Sequence, residues 1–137
     1  MSLQLSEEVI IEVPFHDVDA MEVAWHGHYV KYLEIARTAM MRKIGLDFPE
    51  LRDSGYLWPI VECHLKYIRP LRYGMKVRVK ASLLECDCRV KVGYVMTDDS
   101  TGERLNKAWT TQVAVKGDTG ELVFDIPPHL FAAVPRS

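Results

Sequence analysis

The chain has 137 residues, of which 48% are hydrophobic and 26% charged, a balance that excludes intrinsic disorder and suits one ordinary domain. A folded chain of this size exposes about 7,000 Å² against about 23,000 Å² unfolded, so the core suffices without staples. The net charge of −2 excludes a broadly basic nucleic-acid footprint, and no apolar run approaches the roughly 20 residues of a membrane span.

The opening segment, Met1 to Glu8, has neither the basic start nor the apolar stretch of a secretory leader. Val9, Ile11, Val13 and Phe15 then alternate with other residues in a strand pattern, and Pro14 points to an edge or a strand end. From Tyr29 the period changes. Tyr29, Leu33, Ala36, Met40 and Ile44 mark one face of a helix of roughly 17 residues, with Gly45 as its stop. Phe48–Ser54 reads as a short helical turn. Tyr56–Tyr67 is rich in aromatic and β-branched residues. Val77–Leu83, Val90–Met96 and Trp109–Val115 each alternate with period two, Asp98–Gly102 supplies a hairpin loop, and Gly117–Gly120 forms a turn before Glu121–Phe124. Pro127-Pro128 suits the start of a short terminal helix. No repeat or linker divides residues 1–137, so a single α+β domain is expected, an antiparallel sheet wrapped around one long helix. One helix covers only part of a sheet, and the remaining face or edge invites a second copy, making a homodimer or homotetramer the expected assembly.

Chemistry concentrates ahead of the helix. Asp17, Asp19 and Glu22 share the stretch from His16 to His28 with three histidines, and this stretch leads into a helix N-terminus with unpaired N–H groups. Such an end can stabilise an oxyanion, while a nearby carboxylate acts as nucleophile or as general base towards water. Gly27 lets backbone approach a substrate closely. Asp17 reads as structural, closing the loop through an Asx-type bond, and Asp19 as either a loop cap or the reacting group. The three histidines fit no zinc spacing, and Cys86-x-Cys88 fits neither a redox nor a zinc pattern. The expectation is a cytoplasmic protein with free thiols at Cys63, Cys86 and Cys88, and with no metal or redox cofactor.

Two motifs carry a family resemblance. Asp17-Val18-Asp19-Ala20, Val23-Ala24-Trp25-His26-Gly27-His28-Tyr29-Val30 and Tyr32-Leu33-Glu34-Ile35-Ala36-Arg37 form the first; Tyr67-Ile68-Arg69-Pro70-Leu71-Arg72-Tyr73-Gly74 forms the second. Together they resemble the hotdog-fold acyl-CoA thioesterases, in particular the 4-hydroxybenzoyl-CoA and Tol-Pal-associated thioesterase group. The resemblance implies a hotdog fold that hydrolyses an acyl thioester of CoA or of acyl carrier protein. It implies Asp19 as the catalytic carboxylate, the His26 backbone N–H as the group polarising the thioester carbonyl, and a site at a dimer interface. Trp25 and Tyr29 become candidates for an acyl pocket, and Arg69 and Arg72 for the CoA phosphates. Glu22 departs from the pattern, since relatives often carry Gly there; a bulky acid would narrow the pocket, add a carboxylate, or face solvent. Two alternatives stay open, a hotdog dehydratase or hydratase and a non-enzymatic acyl-thioester binder.

Overall fold

The chain folds around its alternating strands, and the computed structural model describes residues 2–137; Met1, which opens the segment read as lacking a leader, lies outside them. Five strands form one antiparallel sheet: β1 (Ser6–Glu12), β3 (Ile60–Tyr67), β4 (Lys76–Cys86), β5 (Val90–Asp98) and β6 (Arg104–Gln112), in the spatial order β1-β4-β5-β6-β3. The register sets Val79 against Met96 and Tyr94 against Ala108, so the buried residues of neighbouring strands share one face.

Helix α1 (Tyr29–Arg42) packs on that face, chiefly over β1 and β4. Its buried stripe is Tyr29, Tyr32, Leu33, Ala36, Met40 and Met41. Fully burying a side chain such as Leu33 or Met40 contributes about 1.5–3 kcal/mol, so the stripe rather than intrinsic propensity holds α1 in place. The helix is 14 residues long, shorter than its apolar period suggests, because the chain leaves it before Gly45, which takes a left-handed φ of 75°.

A second sheet orders β2 (Tyr56–Leu57), β7 (Ala114–Lys116) and β8 (Leu122–Val123) as β2-β7-β8. It arises where two expected strands divide. Trp58-Pro59 separates β2 from β3, and Val113, whose N–H donates to the Pro59 carbonyl at 3.3 Å, separates β6 from β7. The short segment after α1 is helix α2 (Phe48–Arg52), capped by Asp47, whose carboxylate accepts the Phe48 N–H at 2.7 Å. The terminal proline pair opens only a 3₁₀ turn, Pro128–Phe131.

Because α1 sits towards β1 and β4, strand β3 remains an edge with little cover on either face. Ile60, Val61 and Tyr67 along it are exposed. Among the described residues no helix is long and apolar enough to cross a membrane.

Candidate active site

The stretch before α1 is a small hairpin held at three points. The Trp25 N–H donates to the Asp17 carbonyl at 2.9 Å, Val18 bridges Ala24, and the Asp19 N–H donates to the Val23 carbonyl at 2.9 Å. Its second arm also meets the second sequence motif: the Ala24 N–H donates to the Leu71 carbonyl at 2.7 Å, and Val23 bridges Arg72. The two motifs are therefore one three-stranded patch that ends at the start of α1.

Asp17 anchors the patch to the helix. It is 1% exposed, and its carboxylate accepts two bonds from Lys31 Nζ at 2.7 and 2.8 Å and one from the Tyr32 hydroxyl at 2.6 Å. His16 and His28 each place a ring nitrogen 3.8 Å away. Burial opposes ionisation, but the hydrogen bonds from Lys31 and Tyr32 and the charges of Lys31 and His28 outweigh it and hold the carboxyl below its ordinary range. Burial, followed by the bond to Asp17, pushes the Tyr32 hydroxyl strongly up, so it stays a donor.

The structural reading of Asp17 thus has a different basis from the expected Asx-type bond. That bond belongs to Asp19, whose Oδ1 accepts the Met21 N–H at 2.8 Å. The rest of the Asp19 side chain is exposed at the hairpin tip. Glu22, also exposed, has a left-handed φ of 63°. A backbone that turns this way favours glycine, which accounts for the residue type relatives carry at this point. The Glu22 side chain is exposed.

At the entry to α1, the residues His26–His28 form a 3₁₀ turn. The His28 N–H returns to the Trp25 carbonyl at 2.9 Å. Among the described residues the N–H groups of His26 and Gly27 donate to no protein acceptor, as the first turn of a helix requires. Gly27 also has a steric neighbour within the chain. The Trp25 indole lies on it, and an added Cβ would stand 2.3 Å from the ring. Trp25 is 49% exposed and packs between His26 and His28, with ring centroids 5.2 and 5.4 Å away.

Tyr29 and Arg69 have partners within the chain. Tyr29 is buried; its hydroxyl accepts the Leu71 N–H at 3.2 Å and its ring meets Tyr67 edge-on at 4.9 Å, so it pins the second motif rather than lining an open pocket. Arg69 lies at the end of β3 with its Nε 2.5 Å from Glu103 Oε1, which already offsets its charge. Arg72 stays exposed beside the hairpin. Sequence reasoning missed Lys31 and Tyr32 as the partners of Asp17, and Tyr67, whose hydroxyl donates to the His26 carbonyl at 3.3 Å. A tyrosine on the buried helix stripe beside a lysine was the available signal for the first pair.

A long helix against a five-stranded antiparallel sheet is the arrangement of a hotdog-fold protein. Residues 13–134 match the thioesterase-like superfamily, and the chain belongs to that family. A Synechocystis sp. protein named "Putative esterase sll0410" is 32% identical over 122 residues, covering 88% of this chain and 74% of the relative. A Pseudomonas aeruginosa betainyl-CoA thioesterase is 29% identical over 89 residues, covering 61% of this chain and 56% of the relative. Among solved structures, the DHNA-CoA thioesterase of Staphylococcus aureus matches with a TM-score of 0.80 at 24% identity, over 88% of this chain and 81% of that one, a likeness of fold.

Proposed function

We propose that the chain is an acyl-CoA or acyl-carrier-protein thioesterase in which Asp19 drives the attack and the N–H groups of His26 and Gly27 receive the developing oxyanion. The observation that carries the reading is the hairpin itself. One hydrogen-bonded patch holds an exposed carboxylate at its tip and two N–H groups without protein acceptors at its base, next to the positive end of α1. In antiparallel pairing Asp19 stands two residues, about 7 Å, along from the Asp17–Trp25 pair, so the carboxylate and the N–H groups lie at the two ends of one short hairpin.

Asp19 either bonds to the acyl carbon or removes a proton from the water that does so. In both routes the carbonyl electrons pass to oxygen and return as the C–S bond breaks and the thiol leaves; the base route gives the free acid at once, whereas the nucleophilic route gives a mixed anhydride with Asp19 that water then cleaves, freeing the acid and restoring the Asp19 carboxylate. Exposed Arg72 beside the hairpin supplies a cation for the phosphates of a CoA or carrier-bound substrate. The open edge of β3, with Ile60, Val61 and Tyr67 exposed, favours an antiparallel dimer that would close the site from the partner's side. The three cysteines are free thiols, which suits a reducing cytoplasm.

The test is thiol release from short, long and aromatic acyl-CoAs and from acyl-carrier-protein thioesters, with Asp19→Ala beside wild type and sedimentation to report the assembly. Turnover on one substrate class, lost in a folded Asp19→Ala protein that keeps its assembly, is the expected result. Tight acyl-CoA binding without thiol release on any carrier would overturn it in favour of a binding protein.

A further inference from the structure

On the sheet face away from α1, β4, β5 and β6 enclose an open groove of about 410 Å³. Its floor is Gly93, its walls are Leu84 and the Trp109 indole, and Lys80, Lys91 and Lys107 surround it. The register explains the shape. Gly93 lies directly opposite both Ser82 and Trp109, so a missing side chain leaves a slot beside the indole. A Cβ built on Gly93 would stand 3.2 Å from Leu84 and occupy that slot.

One face of the indole is taken by His64, stacked at 4.2 Å and 8°. Lys91 Nζ lies over the same indole ring, 5.7 Å from its centre, so a base stacked there displaces it towards the rim of the groove. Lys80 and Lys107 flank Val95 on neighbouring strands, which brings their Cα atoms within about 10 Å of each other. Among the described residues Lys80, Lys91 and Lys107 form no ion pair, whereas six of the arginines do. Lys107 also stands directly opposite Lys66 of β3, a like-charge pair that costs stability unless an anion offsets it. Glu8 stands opposite Lys80 and Glu85 opposite Lys91, but each pairs with an arginine, Arg78 and Arg89, so positive charge is in excess around this aromatic platform.

We infer that this groove binds a nucleoside phosphate, its base stacking on Trp109 above Gly93 and its phosphates meeting Lys80, Lys91 and Lys107. A planar ring fits a slot floored by glycine, and cations at both ends match a ligand that carries phosphate. A second copy of this face is a poor occupant, because its own lysines would meet these. The nucleotide comes from one of two sources, the nucleotide end of a CoA thioester or a free nucleotide. The site lies across the sheet from α1, and its binding test requires no hydrolysis, so its failure is separable from failure of the thioesterase reading.

Calorimetric titration of the full-length protein with adenosine 3′,5′-bisphosphate tests the inference, with ribose 5-phosphate as the probe lacking a base. Wild type is expected to bind the bisphosphate more tightly than ribose 5-phosphate, and less tightly as salt rises. Gly93→Val, which suits a strand but fills the slot, is expected to abolish binding, and Lys91→Gln with Lys107→Gln to weaken it by about tenfold or more. A raised KM for acyl-CoA in Gly93→Val identifies the nucleotide as part of the substrate; an unchanged KM with AMP bound at the groove identifies a separate ligand. No binding by wild type, binding unaltered in both variants, or a change of assembly in Gly93→Val without any nucleotide binding overturns the inference.

Discussion

Replacing Asp17 with alanine tests how the catalytic hairpin is held. The substitution removes a carboxylate that is 1% exposed and leaves the Tyr32 hydroxyl, donated to it at 2.6 Å, buried without its acceptor. An orphaned buried hydroxyl costs about 1–3 kcal/mol. Lys31 is 46% exposed and can return to water, so its side of the pair adds only about 1 kcal/mol after screening. The expected loss is about 2–4 kcal/mol, read as a urea midpoint lowered by about 1–2 M at neutral pH. A second arm uses acid. The folded state holds the Asp17 carboxyl below its ordinary range, so the unfolded chain binds the proton more readily. Its contribution is present above the ordinary aspartate range and disappears as pH falls through and below it, under about pH 4. Asp17→Asn should therefore flatten this part of the acid unfolding profile. A midpoint shift equivalent to less than about 0.5 kcal/mol, or an unchanged acid profile in Asp17→Asn, would refute the anchoring argument.

Glu22→Gly should stabilise the fold by about 0.5–1 kcal/mol, since it relieves the left-handed backbone at φ 63°; a lowered thermal midpoint contradicts this. Gly27→Ala should displace the Trp25 indole, which its new Cβ would meet at 2.3 Å, and lower kcat while leaving the unfolding midpoint nearly unchanged, because the half-exposed ring can swing into water. Trp25 fluorescence against a Trp25→Phe control reports the movement. Met40→Ala, at a fully buried point of the α1 stripe, should cost about 2–5 kcal/mol in chemical unfolding, and a smaller loss would show that the helix face repacks freely.

Much of this architecture was legible because its parts repeat at periods that physical packing requires. Tyr29, Leu33, Ala36 and Met40 recur at helical spacing and are all buried, and β4 alternates from Lys76 to Leu84 and β5 from Val90 to Thr97. Boundaries were harder. Pro59 sits inside a run of apolar residues that reads as one strand, and Val113 interrupts β6 and β7 without any local marker. The hairpin was legible as a cluster of polar residues but not as a geometry. Asp17 reaches Lys31 and Tyr32 across 14 and 15 residues, a contact set by the path of the loop rather than by spacing. Position 22 shows the same limit: the departure from glycine is visible in the sequence, while the left-handed φ that makes glycine favourable there belongs to the fold.

The central claim is that Asp19, at the tip of this hairpin, drives thioester hydrolysis. Its most direct test is kcat for thiol release by wild type and by Asp19→Asn on the best acyl-CoA of the panel, with unfolding midpoints measured alongside. The expected result is a loss of about 10²–10⁴-fold in kcat with the midpoint unchanged, because the exposed carboxylate contributes little packing. Equal kcat in a folded Asp19→Asn protein would contradict it and move the catalytic carboxylate elsewhere.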